Sequence, residues 1–129
     1  MLLIRPHPRE NGEIYRQFGH ATVRVKVSGE GNSLELALAA DVVAGMNTMF
    51  LVESAQLGRP TLSIRLGLPL PDDFPPNRSG LTHPIYREAA LQSSLAALLA
   101  GSASRPAPPT LPGNAAQNVA KLTYSILGI

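Results

Sequence analysis

The sequence predicts an α/β protein, built as a three-layer sandwich around an open and mainly parallel sheet. The main observation is the pattern of residues 41–64. An apolar run ends at Gly45, and about ten mostly apolar residues follow. Gly-Arg-Pro at 58–60 ends that segment, and a second apolar run begins after it. Strand, turn, helix and strand in this order form a βαβ unit, whose right-handed crossover buries the helix against a parallel sheet. Apolar runs and helical patterns keep alternating on both sides of this segment, which is the second observation.

The residues before this segment predict two strands and two helices. A strand is predicted at 2–5, where an apolar run begins directly at the start of the sequence. Asn11 is placed to cap a short helix over 12–18. Residues 21–27 alternate between apolar and polar or basic side chains, which is typical of a half-exposed strand. Ser33 then offers an N-cap for the helix that follows it.

The residues after the central segment begin with a proline-dense stretch. Four prolines within 68–80 predict a loop without regular structure, in which Asp72 and Asp73 occupy a solvated turn. Residues 81–86 predict a weak last strand that a proline interrupts. Leucines at helical spacing then predict an amphipathic helix over 87–100.

This pattern predicts one domain followed by a linker and a terminal helix. Residues 1–100 hold the predicted domain, and residues 101–113 form a linker rich in serine, alanine and proline. Asn114 is placed to cap a final amphipathic helix. We therefore expect residues 114–129 to pack on the domain or on a partner.

Composition disfavours several classes of function. The pI is near 9.4, but the formal net charge is only +2 and the basic residues are scattered, so no nucleic-acid partner is expected. The chain has no cysteine, which excludes disulfides and thiolate metal sites, and no metal-binding triad of side chains is visible. Without a signal peptide or a run of about 18 apolar residues, we expect a cytoplasmic protein with no membrane span, metal or cofactor.

The turn at residues 45–48 is the first candidate site. In parallel sheets, anionic ligands bind where a strand ends and a helix begins, because free amides and the positive end of the helix dipole converge there. Asn47 and Thr48 fit a phosphate cradle, with Gly45 allowing close backbone approach. Both residue types also cap helices without any ligand, so the pattern leaves the two interpretations open.

Glu53 is the only acidic residue in the apolar helix predicted after that turn. Its spacing places it on one face with Met46 and Met49. We expect this helix to be largely buried, where a carboxylate is costly unless it accepts hydrogen bonds. The donors come either from two neighbouring hydroxyls of a ligand sugar, or from a salt bridge or backbone amide inside the protein.

His7 is the candidate for acid or base chemistry. It lies between two prolines just past the end of the first strand, at the sheet edge where Gly45 is also expected, and Arg5 and Arg9 add positive charge nearby. A histidine beside arginines suits contact with a diphosphate or proton transfer. The alternative is a turn made rigid by proline, with the imidazole in solvent.

Two stretches of the chain resemble a known family. HPRE after the first strand and ADVVAGMNTMFLVESAQLGRPTLSI over 40–64 are similar to the C-terminal domain of GT-B-type nucleotide-sugar enzymes, above all UDP-N-acetylglucosamine 2-epimerases and related glycosyltransferase-like proteins. The resemblance covers about residues 2–66, and its most specific part is Leu-Gly-Arg-Pro at 57–60 with Glu53 five residues before the glycine. It implies a Rossmann-like domain that binds a UDP-sugar.

The resemblance also implies roles for individual residues. Asn47 and Thr48 stand where the family's Ser-Gly pair holds the diphosphate. Glu53 stands where a carboxylate binds the ribose hydroxyls, and His7 stands near the diphosphate and the reacting sugar. The remaining expected binding residues are Arg5, Arg9, Gly45 and Met46. The methionine at 46 and the asparagine at 47 depart from the epimerase pattern.

The resemblance finally implies that part of the fold lies outside this sequence. In the family a first strand and a glycine-rich loop precede the position of Met1, so we expect an N-terminally truncated domain. The expected function is nucleotide-sugar binding in a glycosyltransferase or epimerase-like protein that is inactive without a second domain or subunit. The alternative is a non-catalytic α/β module or gene remnant that oligomerises through its incomplete sheet.

Overall fold

The computed structural model describes residues 1–19, 23–69, 71–101 and 113–128. Within these ranges the chain is an α/β protein with two small parallel sheets. It divides into two compact units, Met1–Leu36 and Ala37–Ile129, and each unit has its own sheet.

The first unit holds a two-stranded sheet. Strand β1 covers Leu2–Ile4 and strand β2 covers Val25–Val27, and the two strands are parallel. A 3₁₀ helix, Gly12–Phe18, lies between them in the sequence. Asn11 caps this helix as predicted, because its side chain accepts the Glu13 N–H at 2.9 Å. The first two residues of the predicted strand at 21–27 lie outside the described residues.

Helix α1 covers Ser33–Ala39. The prediction that Ser33 is its N-cap is wrong, because Asn32 caps the helix instead. The Asn32 Oδ1 accepts the Leu34 N–H at 2.8 Å, and the Asn32 carbonyl accepts the Leu36 N–H at 3.1 Å. Asparagine and serine are equally good caps, so the backbone path decided between these neighbours.

The second unit holds a three-stranded sheet. Its strands are β3 (Val43–Gly45), β4 (Thr61–Ile64) and β5 (His83–Ile85), all parallel and ordered β3-β4-β5. Helix α2, Met49–Gln56, connects β3 to β4, which confirms the predicted βαβ unit. Pro84 is tolerated in β5 because this strand lies at an edge of the described sheet, where one ladder N–H is not needed.

Residues 68–80 are not a loop throughout, so that prediction is wrong. Helix α3 covers Pro75–Arg78. Both of its prolines lie in the first turn, where a backbone N–H has no helical partner and a restricted φ favours the helix. The proline density therefore marks the start of a short helix as well as a loop.

The helix predicted over 87–100 is confirmed in two parts. A 3₁₀ turn at Glu88–Ala90 leads into α4, Leu91–Leu99. Helix α5 then covers Ala115–Leu127, and none of its described side chains is buried. Packing of α5 on the domain or on a partner stays a prediction, and most of the predicted linker at 101–113 lies outside the described residues.

Two apolar clusters cover the two faces of the three-stranded sheet. Val43 pairs with Thr61 and therefore shares its face, whereas Leu62 points to the other side. The buried members of the first cluster are Ala37, Val43, Leu51 and Phe74. Those of the second cluster are Leu62, Ile85 and Leu98. Residues of α1 and α2 therefore pack on one face, and α4 packs on the other.

Replacing Leu51 with alanine should destabilise the second unit strongly. Leu51 is fully buried in the first cluster, so Leu51→Ala leaves a cavity and should lower the free energy of unfolding by about 2–5 kcal/mol. The matched control is Met49→Ala, on the exposed side of the same helix. This variant should change the free energy of unfolding by less than about 0.5 kcal/mol. Denaturant unfolding followed by circular dichroism measures the free energy of unfolding of both variants. Equal losses of stability would contradict the placement of Leu51 in the core.

Candidate functional site

The turn between β3 and α2 lies at the carboxyl edge of the three-stranded sheet. Strand β3 ends at Gly45, and α2 begins at Met49 with Thr48 in the N-cap position. The Thr48 side chain makes no capping hydrogen bond, and both Asn47 and Thr48 are exposed. Helix capping therefore does not account for Thr48, which lies at the positive end of the helix dipole.

Gly45 is not required by the backbone or by the packing of this turn. Its φ lies outside the left-handed region that favours glycine. A Cβ added to Gly45 would meet the Leu51 side chain at 3.5 Å, which is an ordinary van der Waals distance. The role of this glycine in admitting a ligand close to the backbone stays a prediction.

Glu53 is exposed, so the expectation that its helix buries it is wrong. The buried residues of α2 are Leu51, Ser54 and Ala55. Met46 and Met49, expected on the same face as Glu53, are 64% and 67% exposed. None of the ion pairs in the described parts of the chain involves Glu53, so the internal salt bridge is not observed there. The carboxylate therefore remains available to a ligand.

His7 lies in a tight turn of the first unit and is exposed. Its Nδ1 accepts the Arg9 N–H at 3.2 Å, and its own N–H donates to the Glu10 carboxylate at 3.1 Å. An imidazole that accepts at Nδ1 carries its proton on Nε2 when neutral. The rigid-turn interpretation accounts for the backbone here and leaves Nε2 as the atom that could meet a ligand.

Arg5 and Arg9, the other two candidates of the first unit, differ in their surroundings. The Arg5 guanidinium donates to the carbonyl of Glu30 at 2.8 Å and to that of Gly31 at 2.9 Å. These bonds tie the loop after β2 to the end of β1, so the Arg5 guanidinium is committed to the fold. Arg9 is exposed.

A buried carboxylate that the sequence analysis missed lies at the carboxyl edge of the three-stranded sheet. Asp72 is only 4% exposed, so the solvated turn predicted for it is wrong. Its Oδ1 accepts the Phe74 N–H at 2.8 Å. Its Oδ2 accepts the Asn77 amide at 2.7 Å and the Tyr86 hydroxyl at 2.8 Å. Three hydrogen bonds replace the water that a surface carboxylate would keep.

Arg65 supplies the positive charge beside this carboxylate. It follows β4 directly, is 7% exposed, and places its Nη2 3.9 Å from the Asp72 Oδ1. The same nitrogen donates to Asp73 at 2.5 Å, although the Asp73 side chain is largely exposed. Asp72 and Asp73 are therefore neighbours with different environments, one inside the fold and one at its surface.

The buried polar network continues from Asp72 to the turn that precedes α2. The Asn77 amide, besides its bond to Asp72, donates to the Ser63 hydroxyl at 3.1 Å. Ser63 is fully buried and donates to the Met46 carbonyl at 2.6 Å. The Thr82 hydroxyl donates to the Asn77 side-chain carbonyl at 2.5 Å. A continuous chain of hydrogen bonds thus joins the loop before α3 to the β3–α2 turn.

The network shifts two pKa values in opposite directions. Burial by itself raises the pKa of Asp72, but its three hydrogen bonds and the Arg65 charge outweigh burial and bring this pKa below the ordinary value. The hydrogen bond to Asp72, followed by burial, raises the pKa of Tyr86. Loss of the Tyr86 proton would leave two negative charges side by side. Asp72 is therefore ionised and Tyr86 neutral at neutral pH.

Two signals in the sequence could have pointed to this network. Ser63 interrupts the apolar run of β4, and Arg65 comes directly after that strand. A hydroxyl and a cation at the carboxyl end of a buried parallel strand lie at the usual ligand edge and need partners. The partners themselves, Asp72 and Asn77, were hidden in a stretch whose prolines suggested only a loop.

A cavity of about 180 Å³ lies at the amino ends of β4 and β5, and Asn77 and Thr82 of the network line it. Its polar lining includes Arg59, Thr61, Thr82 and His83, and none of its lining residues is acidic. The Thr61 Oγ1 and the Arg59 Nε are buried without a partner among the described residues. This cavity is at the opposite edge of the sheet from Gly45, and no predicted site residue lines it.

No family model, curated protein or solved structure matches this chain. In the described ranges, no group of three or more histidine and acidic side chains could hold a metal ion. No helix there has both the length and the apolar character that crossing a bilayer requires. Function therefore has to be inferred from the geometry of the site and from the resemblance of the motifs.

Asp72→Asn should lower stability and flatten its dependence on acid pH. An amide cannot accept all three hydrogen bonds, so we expect the free energy of unfolding at neutral pH to fall by about 1–3 kcal/mol. Because the folded pKa of Asp72 is lowered, its contribution is complete above the unfolded pKa of about 3.9 and is lost as pH falls through the folded pKa.

Urea unfolding at a series of pH values tests this prediction. The wild type should lose stability below about pH 4 more steeply than Asp72→Asn. Asp41→Asn removes the same charge from an exposed position and should keep the wild-type acid profile. An Asp72→Asn profile parallel to that of the wild type would contradict the buried, ionised carboxylate.

Proposed function

We propose that this chain is the UDP-sugar-binding domain of a glycosyltransferase or epimerase-like protein, and that turnover needs a second domain or subunit. The proposed architecture is the three-layer, Rossmann-like half of a GT-B fold. Its support is the parallel βαβ unit of β3, α2 and β4, with helices packed on both faces of that sheet. A cytoplasmic location is part of the same proposal.

The observation that carries the proposal is the exposed start of α2. Asn47, Thr48, Met49 and Glu53 are all exposed there, and Thr48 is not used as a capping side chain. The first N–H groups of a helix have no partner within it, and the helix dipole favours an anion at that end. Donors for a diphosphate thus lie just before and at the start of α2, and an acceptor for sugar hydroxyls lies on the same helix.

Each of these residues has a chemical role in the proposed complex. The diphosphate accepts hydrogen bonds from the amides of Asn47 and Thr48, and the Thr48 hydroxyl adds a further donor. Glu53 accepts from two ribose hydroxyls, because a carboxylate has two acceptor oxygens. Met46 and Met49 offer a polarizable apolar surface to a ring of the ligand. The roles expected for His7 and Arg9 stay predictions.

Calorimetric titration with UDP tests this function. We expect binding with a Kd of about 1 mM or tighter for the wild type. Glu53→Ala should weaken binding at least about tenfold, because lost charge-assisted hydrogen bonds cost about 1.5–3 kcal/mol. The variant should fold normally, since Glu53 is exposed.

The matched control is Glu35→Ala, which removes the same charge from the exposed start of α1. It should bind UDP as the wild type does. Two results would contradict the proposal: no binding to the wild type at millimolar UDP, or equal affinity of the wild type and Glu53→Ala. An equal loss in both variants would trace the effect to net charge and contradict the assigned role of Glu53.

A second candidate function belongs to another class, a non-catalytic module that oligomerises. The observation that favours it is α5, where Val119, Leu122 and Ile126 are 65%, 64% and 75% exposed. They recur at spacings of three and four residues, the pattern of a helix that packs against another helix. Strands β3 and β5 are also edges of the described sheet, and open edges attract strands from other chains.

Sedimentation velocity tests this second candidate. If chains associate through α5, Leu122→Glu should convert an oligomer into a monomer, because it places a carboxylate in the apolar contact. Gln117→Glu introduces the same charge at an exposed position outside the apolar stripe and should keep the oligomer. A wild type that stays monomeric up to the highest concentration measured would contradict the candidate.

A further inference from the structure

The buried polar network ends on the turn that the proposed function uses. Its last bond runs from the Ser63 hydroxyl to the Met46 carbonyl, and Met46 precedes the exposed start of α2. Ser63 is fully buried, and Asn77 and Asp72 are 8% and 4% exposed. Three buried polar side chains therefore connect to one backbone carbonyl at the ligand edge of the sheet.

The direction of every hydrogen bond in this connection is determined by the groups themselves. The Asn77 nitrogen has two protons, one for the Asp72 carboxylate and one for the Ser63 oxygen. The flipped amide is excluded because its oxygen would face the ionised Asp72 carboxylate, which has no proton to donate. The Asn77 oxygen therefore accepts from the Thr82 hydroxyl. Ser63 has a single proton, and since its oxygen already accepts from Asn77, that proton is directed to the Met46 carbonyl.

Holding this carbonyl also orients the next amide. The peptide bond is planar and trans, so the Met46 C=O and the Asn47 N–H point in opposite directions. With the Met46 carbonyl turned inward to Ser63, the Asn47 N–H points away from the network. Asn47 is exposed, and its N–H donates no hydrogen bond to the described residues.

We propose that Ser63, Asn77 and Asp72 are positioning residues, which hold the Met46–Asn47 peptide so that the Asn47 N–H is presented to a phosphate group. The part that concerns the phosphate rests on the proposed function; the part that concerns the peptide does not. The ligand class is a nucleoside diphosphate, whose oxygens accept from backbone N–H groups. A rigid donor binds an anion better than a mobile one, because little ordering is left to be done on binding.

Two buried serines of the second unit allow a matched test. Ser63→Ala removes the bond to the Met46 carbonyl, whereas Ser54→Ala removes a comparable bond, from a fully buried hydroxyl to the Phe50 carbonyl at 2.7 Å. Ser54 lies within α2 but is not part of the network. Any general loosening of α2 should therefore appear in both variants, and loss of the positioning role only in Ser63→Ala.

The first measurement uses the ligand-free full chain and backbone ¹⁵N relaxation by NMR. We expect the Asn47 and Thr48 amide signals of Ser63→Ala to shift and their order parameters to fall from about 0.85 to below about 0.6, because the peptide is no longer held. Ser54→Ala should leave both amides as in the wild type. If Ser63→Ala affects them no more than Ser54→Ala does, the positioning role is overturned.

The second measurement is calorimetric UDP binding. Ser63→Ala should bind UDP about tenfold more weakly and Ser54→Ala within about twofold of the wild type. If the wild type binds no UDP, the proposed function fails, and the amide measurement alone decides the positioning role. Equal UDP affinity of Ser63→Ala and the wild type, where the wild type does bind, overturns the link to the ligand.

A variant at the other end of the network provides a second test in case Ser63→Ala does not fold. Thr82→Val keeps the side-chain shape but removes the proton that the Asn77 carbonyl oxygen accepts. We expect the NMR signal of the Asn47 amide to shift in the same direction as in Ser63→Ala, but by less. An unchanged Asn47 amide in a folded Thr82→Val protein would overturn the proposal.

Discussion

The buried charge of Asp72 is the constraint on which the carboxyl edge of the three-stranded sheet depends. A carboxylate removed from water is tolerated only when hydrogen bonds and a counter-charge replace its hydration. The counter-charge is Arg65 at the end of β4, and the donors include Asn77 in α3 and Tyr86 after β5. Satisfying Asp72 therefore holds the segment between β4 and α3 against the ends of two neighbouring strands.

This constraint gives the edge an inner and an outer part with different properties. The inner part is a chain of buried hydrogen bonds that reaches the Met46 carbonyl through Ser63. The outer part is the exposed start of α2, where Thr48 and Glu53 have no described ion pair or capping bond. The proposed anion recognition would benefit from this combination, since amides that are held rigidly next to solvent lose little freedom when a ligand binds.

Local patterns were sufficient wherever the signal lay within one segment. The βαβ unit and the capped helix Gly12–Phe18 follow from glycine stops and a cap, and the helix Ala115–Leu127 follows from apolar spacing, all of which act over a few residues. Asn114 lies at the N-cap of that last helix, but its side chain makes no capping hydrogen bond, so the predicted cap is wrong. Two errors came from single residues with more than one good interpretation. Asn32 and Ser33 are both good caps, and the prolines of α3 suit a helix start as well as a loop.

The sequence by itself determined the alternation of strands and helices. That Met46, Met49 and Glu53 share one face stays a prediction, and Met46 lies before α2. Only the tertiary structure decided which surfaces are covered: Glu53, expected inside, is exposed, and Asp72, expected in solvent, is buried. The reason is that periodicity is a local property, whereas burial depends on neighbours distant in sequence. Here those neighbours are brought together by the parallel pairing of β3, β4 and β5.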